Sequence, residues 1–244
     1  MSERYVLGVD TGHTGALREA DHLLRALAAE LGLHADAGVV GCTHHVRDGR
    51  RPHTALSFAV PSERAARVAW RWLTENGHGG SGTGTIAGAG DEEGGRDEEG
   101  GRDEEDGGDG AAGRPGAGPD AGTGALLGVA FGGERHGPDD LAAGAAHAAA
   151  EHRARTGGRA VLYPGADALT GVLTVARLLE VSAVDRVAVL GSPEGAAVEA
   201  RLVTRDHVRP EWRDGRLVLA AMPAVGGTLV PFEVPDPTPC CADH

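Results

Sequence analysis

Residues 5–14 read YVLGVDTGHT. An apolar run that stops at an acid and enters a Gly/Thr/His turn is a pattern that carries chemistry in α/β proteins. The strand holds the turn rigidly, and the helix start beyond it attracts anions. Two kinds of chemistry fit. In the first, Asp10 holds Mg²⁺ while the turn Thr11, Gly12, His13, Thr14 lines the phosphates of a ligand such as ATP, because carboxylate oxygens suit a hard cation and helix-start amides suit phosphate oxygens. In the second, Asp10 and His13 join His45 and His53 around a transition metal. Adjacent strand residues face opposite sides, so only one of His44 and His45 can serve such a site. Either way Asp10 and His13 are the candidate catalytic pair. The plain alternative is that Asp10 closes a turn and Thr14 or His13 caps a helix.

A second turn, YPGADALTG at 163–171, offers Gly165, Asp167, Thr170 and Gly171 as a further anion-binding helix start, or simply as a helix capped by Asp167. Other chemistries are excluded or weak. The chain has no lysine, which removes both a P-loop and a pyridoxal phosphate Schiff base. Ser192 lies in LGSPEG, which is not a nucleophile elbow. Cys42 reads as packing inside a strand, and Cys240 and Cys241 have no partners for a tetrahedral site.

These residues must be positioned by regular elements. Apolar periodicity and breakers predict strands over 4–9, 37–46, 54–60 and 125–131 and helices over 15–32 and 62–75. The order β-α-β-β-α-β is that of a split ferredoxin-like unit, here 1–76 with 125–135. Beyond it a second α/β half, 136–234, is expected to hold a helix over 138–156, a strand over 159–163, a helix over 167–181, a strand over 185–190 and two or three more strands within 197–234. The tail 235–244 is expected to be disordered.

Charge is unevenly spread. The net charge is −13, of which residues 77–124 contribute −9. That segment is Gly-rich, repeats GGRDEE and has little to bury, so it is expected to be a disordered insertion in a loop and not a domain boundary. The acidity therefore says little about what the folded part binds. No apolar run is long enough to span a membrane, the N-terminus enters a strand at once, and three cysteines make no disulfide framework. The expectation is a cytoplasmic protein with no membrane contact.

The stretches LGVDTGHTG, ADHLLRALAAELG and GVVGCTHHV with RRPHTALSFAV resemble the N-terminal part of the agmatinylcytidine synthetases that modify an isoleucine tRNA, and of their uncharacterised bacterial relatives. GADALTGVLTVARL stands where that family has a Gly-rich run opening a helix, and DHVRPEWRDGRLVL resembles a closing strand region of the bacterial relatives. The resemblance implies a nucleotide- or phosphate-binding fold using ATP and Mg²⁺, with RNA as a partner. It also implies altered or lost catalysis. Of the family's Asp-Asp-Thr-Asp run only Asp10 is kept, with Thr11 and His13 at the positions of two of its acids, and no CxxC pair exists. The rivals are a metal-dependent enzyme using the Asp/His cluster, and a non-catalytic interaction protein whose acidic linker recruits a basic partner.

Overall fold

The computed structural model describes residues 5–12, 16–47, 52–76, 127–192 and 194–235. His13, Thr14 and the acidic insertion lie outside them, as does nearly all of the expected tail. The first half follows the expected order: β1 (Tyr5–Asp10), α1 (Leu17–Glu30), β2 (Val40–Val46), β3 (His53–Val60), α2 (Glu63–Asn76) and β4 (Gly128–Phe131). Its strands pair antiparallel in the spatial order β4-β1-β3-β2, the ferredoxin-like arrangement. Strand β2 starts later than position 37, because residues 35–37 wind into a short 3-10 turn that Gly38 ends at φ +80°.

The rest of the chain extends the same sheet. β5 (Glu134–His136) forms a hairpin with β4, and α3 (Asp139–Ala154) follows. Then come β6 (Arg159–Leu162), β7 (Val172–Thr174), α4 (Val175–Val181), β8 (Arg186–Val189), β9 (Arg201–Val203), β10 (Glu211–Arg213), β11 (Arg216–Ala224) and β12 (Thr228–Pro231). β6 pairs with β2, so one sheet runs β5-β4-β1-β3-β2-β6-β10-β11-β12-β9-β7, with β8 alongside β11. Among the described residues no helix is long and apolar enough to cross a membrane.

The helix expected over 167–181 is corrected. Residues 166–168 make a 3-10 turn, β7 follows, and the helix begins only at Val175. Gly165 and Gly171 hold positive φ, which interrupts a right-handed helix, and Thr174 accepts the Arg177 N–H at 3.2 Å as the real N-cap.

Period-two alternation gives the first four strands two distinct faces. One presents Leu7, Val9, Leu56, Phe58 and Val129 to Ala20, Leu24 and Ala28 of α1 and to Ala66, Ala69 and Leu73 of α2. The other is built from small and polar residues, among them Gly8, Asp10, Cys42, His44, Ala55, Ser57 and Gly128, and α3 lies across it. A methyl group on Gly8 would collide with the Ala145 carbonyl, and one on Gly128 with the backbone at Leu141. Small residues on both sides thus let the helix sit low enough for its own side chains to reach polar groups on the strands. Residues 136–234 are not a separate layer, because α3 covers the sheet of the first half.

Candidate metal centre

Cys42 and His44 stand two apart on β2, so both point at α3, and Ser57 lies opposite Cys42 on β3. From α3 come Glu151 and His152. These five side chains form one chain of contacts. His44 Nδ1 is 2.9 Å from Glu151 Oε2, and His44 Nε2 is 2.7 Å from Ser57 Oγ. Ser57 Oγ is 2.7 Å from His152 Nδ1, and His152 Nε2 is 3.9 Å from Cys42 Sγ. Cys42 and Ser57 have no exposed surface, and His44 and His152 have 2 % and 3 %.

The proton positions follow from the acceptor end. The Glu151 carboxylate can only accept, so His44 Nδ1 donates to it and His44 Nε2 presents a lone pair. Burial lowers the pKa of His44 against the opposing pull of Glu151, which keeps the ring neutral. Ser57 then donates to His44 Nε2 and accepts from His152 Nδ1, which leaves His152 Nε2 a lone pair facing the thiol. Burial pushes the Cys42 pKa well up, while the Trp212 indole beside the sulfur and the charge of Arg159 pull it down. The Trp212 N–H is the one buried side-chain polar atom among the described residues without a hydrogen-bond partner. A thiolate at Cys42 would accept it far better than a thiol does.

One ligand atom from each of Cys42, His44 and His152 lies within 4.8 Å of the others. The donor set is thiolate plus two imidazoles, which suits zinc and similar borderline cations. Glu151 supplies the outer carboxylate that orients a ligating histidine and raises its basicity. Access exists on one side: a cleft of about 580 Å³ is lined by His44, His147, Glu151, Gly157 and Gly158. A side chain at Gly158, whose φ is +107°, would run into the His44 ring.

The residues singled out from the sequence fall elsewhere. Asp10 and His53 do meet: His53 Nε2 is 2.8 Å from Asp10 Oδ2, and Asp10 Oδ1 accepts the Gly12 N–H at 2.8 Å. Asp10 is almost fully buried, with Gly144 of α3 packed against its carboxylate. His45 is corrected: alternation turns it to the opposite face, exposed, and it is His44 that shares a face with Asp10 and His53. Thr11 and Gly12 form the turn after Asp10. Gly165 is crowded by Val181 and Ser182, and Asp167 and Thr170 are exposed. Gly171 is braced by Asp206 and Thr204. No hydrogen bond joins this second turn to Asp10 among the described residues. Ser57, Glu151 and His152 were not foreseen; the usable signal was Cys42-x-His44, two metal-type donors on one face of a strand.

The chain matches no protein-family model, no curated protein and no solved structure. What it does is therefore read from its own geometry.

Proposed function

We propose that this is a metal-binding α/β protein in which Cys42, His44 and His152 hold a zinc-type divalent cation between β2 and α3. The observation that supports this reading is the buried convergence of one thiol and two imidazoles, with Glu151 on the far nitrogen of His44 and a donor-only indole beside the sulfur. Ser57, already between the two rings, or a water, completes four-coordination. The near-complete burial of all three ligands is that of a closed, structural site more than of a catalytic one with an open position. The ion would lock α3 onto the sheet, and the cleft over His44 would be its way in. Purified protein should carry about one equivalent of metal. Cobalt-substituted protein should show a sulfur-to-metal charge-transfer band that Cys42→Ser abolishes, while His53→Gln keeps both band and stoichiometry. Metal-free protein whose stability a chelator leaves unchanged would refute the reading.

A further inference from the structure

A different cavity, of about 840 Å³, opens between the first turns of α1 and the loops that follow β9 and β12. Four arginines line it, Arg18, Arg25, Arg159 and Arg209, against two carboxylates, Asp21 and Glu233. Outside residues 77–124 the chain still carries a net −4, and this concentration of cations runs against that balance. The two acids are too few to neutralise it, and Arg159 bridges both. Its guanidinium bonds both Asp21 oxygens, and its Nε reaches Glu233 Oε2 at 2.6 Å.

Two guanidinium groups remain only partly used. Arg209 is fixed by Nε to Asp21 Oδ2 at 3.0 Å and by Nη1 to the Val208 carbonyl at 3.1 Å. Its Nη2 makes no bond among the described residues, although the side chain is only 10 % exposed. Arg25, one helical turn beyond Asp21 on α1, makes no ion pair among the described residues. Arg25 is exposed as a residue, but partial covering of its guanidinium, then the neighbouring charge of Arg209, lowers its pKa, so each cation raises the cost of the other. Asp21 thus serves to aim Arg209, and the unbalanced charge faces the cavity. Phe232, more than half exposed, gives the same cavity an apolar wall.

We infer that this cavity binds a small phosphorylated ligand, its phosphate held by the forks of Arg25 and Arg209 and its apolar body laid on Phe232. Guanidinium forks match the tetrahedral oxyanion bidentately, and the nearby N-terminus of the 14-residue α1 adds to the attraction. None of Cys42, His44 and His152 lines this cavity; the α1 that forms one wall packs on the face of the sheet opposite α3, and the cavity shares Leu17, Arg159 and Glu233 with the cleft over His44.

Calorimetric titration of the full chain with inorganic phosphate and with phenyl phosphate at low salt tests this. Phenyl phosphate should bind, more tightly than phosphate, and both should weaken as salt is raised. Arg25→Gln, at an exposed position that leaves the buried ion pairs intact, should weaken phenyl phosphate about tenfold or more. Arg177→Gln, on α4, should have no effect. Absence of binding at about 10 mM ligand, some 3 kcal/mol or weaker, would overturn the inference, as would equal binding by Arg25→Gln. Binding that emerges only when Asp236 and Asp243 are changed to Asn would also overturn it, because the occupant would then be the chain's own acidic C-terminus.

Discussion

At the scale of single residues, Asp10 and His44 exchange the roles their surroundings in the sequence suggest. Asp10 ends a strand before a turn, which is where a cation-holding acid is expected, yet both of its oxygens are committed, one to the Gly12 N–H and one to His53. His44 sits mid-strand beside a second histidine, and it is the one that meets an imidazole network. Replacing Asp10 by Asn keeps an acceptor for Gly12 but removes the charged partner of His53. The expected outcome is a stability loss of about 1–3 kcal/mol by chemical denaturation, with metal content unchanged. Glu151→Gln acts on the other pair. It preserves a hydrogen bond to His44 but removes the charge that makes the ring basic, so metal affinity should fall about 10- to 100-fold with the fold intact. Competition with a chelating indicator dye reads that change, and an unaltered affinity would remove Glu151 from the centre.

At the scale of elements, the ferredoxin-like order was legible because each apolar repeat carries its period openly: four leucines at helical spacing before Gly32, and TALSFAV as one buried strand. The split of 167–181 was not. Leu173, Val175, Ala176 and Leu179 suit a helix in spacing, but the positive-φ glycines and the pairing of β7 with β9 override that local preference. The site was half legible for a related reason. Strand parity shows that His44 and His45 must part company, but only the place of α3 shows which of them gains partners. His152 and Glu151 read as ordinary helix residues until the helix is laid on Gly8 and Gly128. That close approach is therefore part of the site. Gly8→Ala should force α3 away from β1 at a cost of about 1–3 kcal/mol. It should also lower metal stoichiometry, although position 8 pairs with Ser57 and not with Cys42, His44 or His152. Denaturation and metal analysis of the same sample measure both, and an unchanged stoichiometry would uncouple helix docking from the centre.

At the scale of the whole molecule, the two halves are joined by the β2–β6 pairing and by a buried ionic cluster laid over it. Asp21 comes from α1 in the first half; Arg159, Arg209, Glu233 and His207 come from the second. Burial alone would raise the Asp21 pKa, but Arg159 and Arg209 outweigh it, so the carboxyl titrates below its ordinary value of 3.8. Burial likewise works against Glu233, and Arg159 and His207 bring it below its ordinary value. A depressed carboxylate pKa means that the unfolded chain binds more protons than the folded one in the acid range. The stabilisation is then complete above the unfolded values and is lost as pH falls through the folded ones, so wild-type stability should decline below about pH 4. Asp21→Asn leaves two buried guanidinium groups short of a counter-charge. At neutral pH it should cost about 3–5 kcal/mol, and its acid decline should be shallower because one of the depressed carboxylates is gone. Removing the stranded charge as well, in Asp21→Asn with Arg209→Met, should recover part of the loss, since Arg159 keeps Glu233. Urea denaturation of wild type and both variants across pH 3 to 7 makes the comparison. If the single variant is as stable as wild type at pH 7, the cluster does not join the halves, and the continuous sheet and the packing of α3 hold them together.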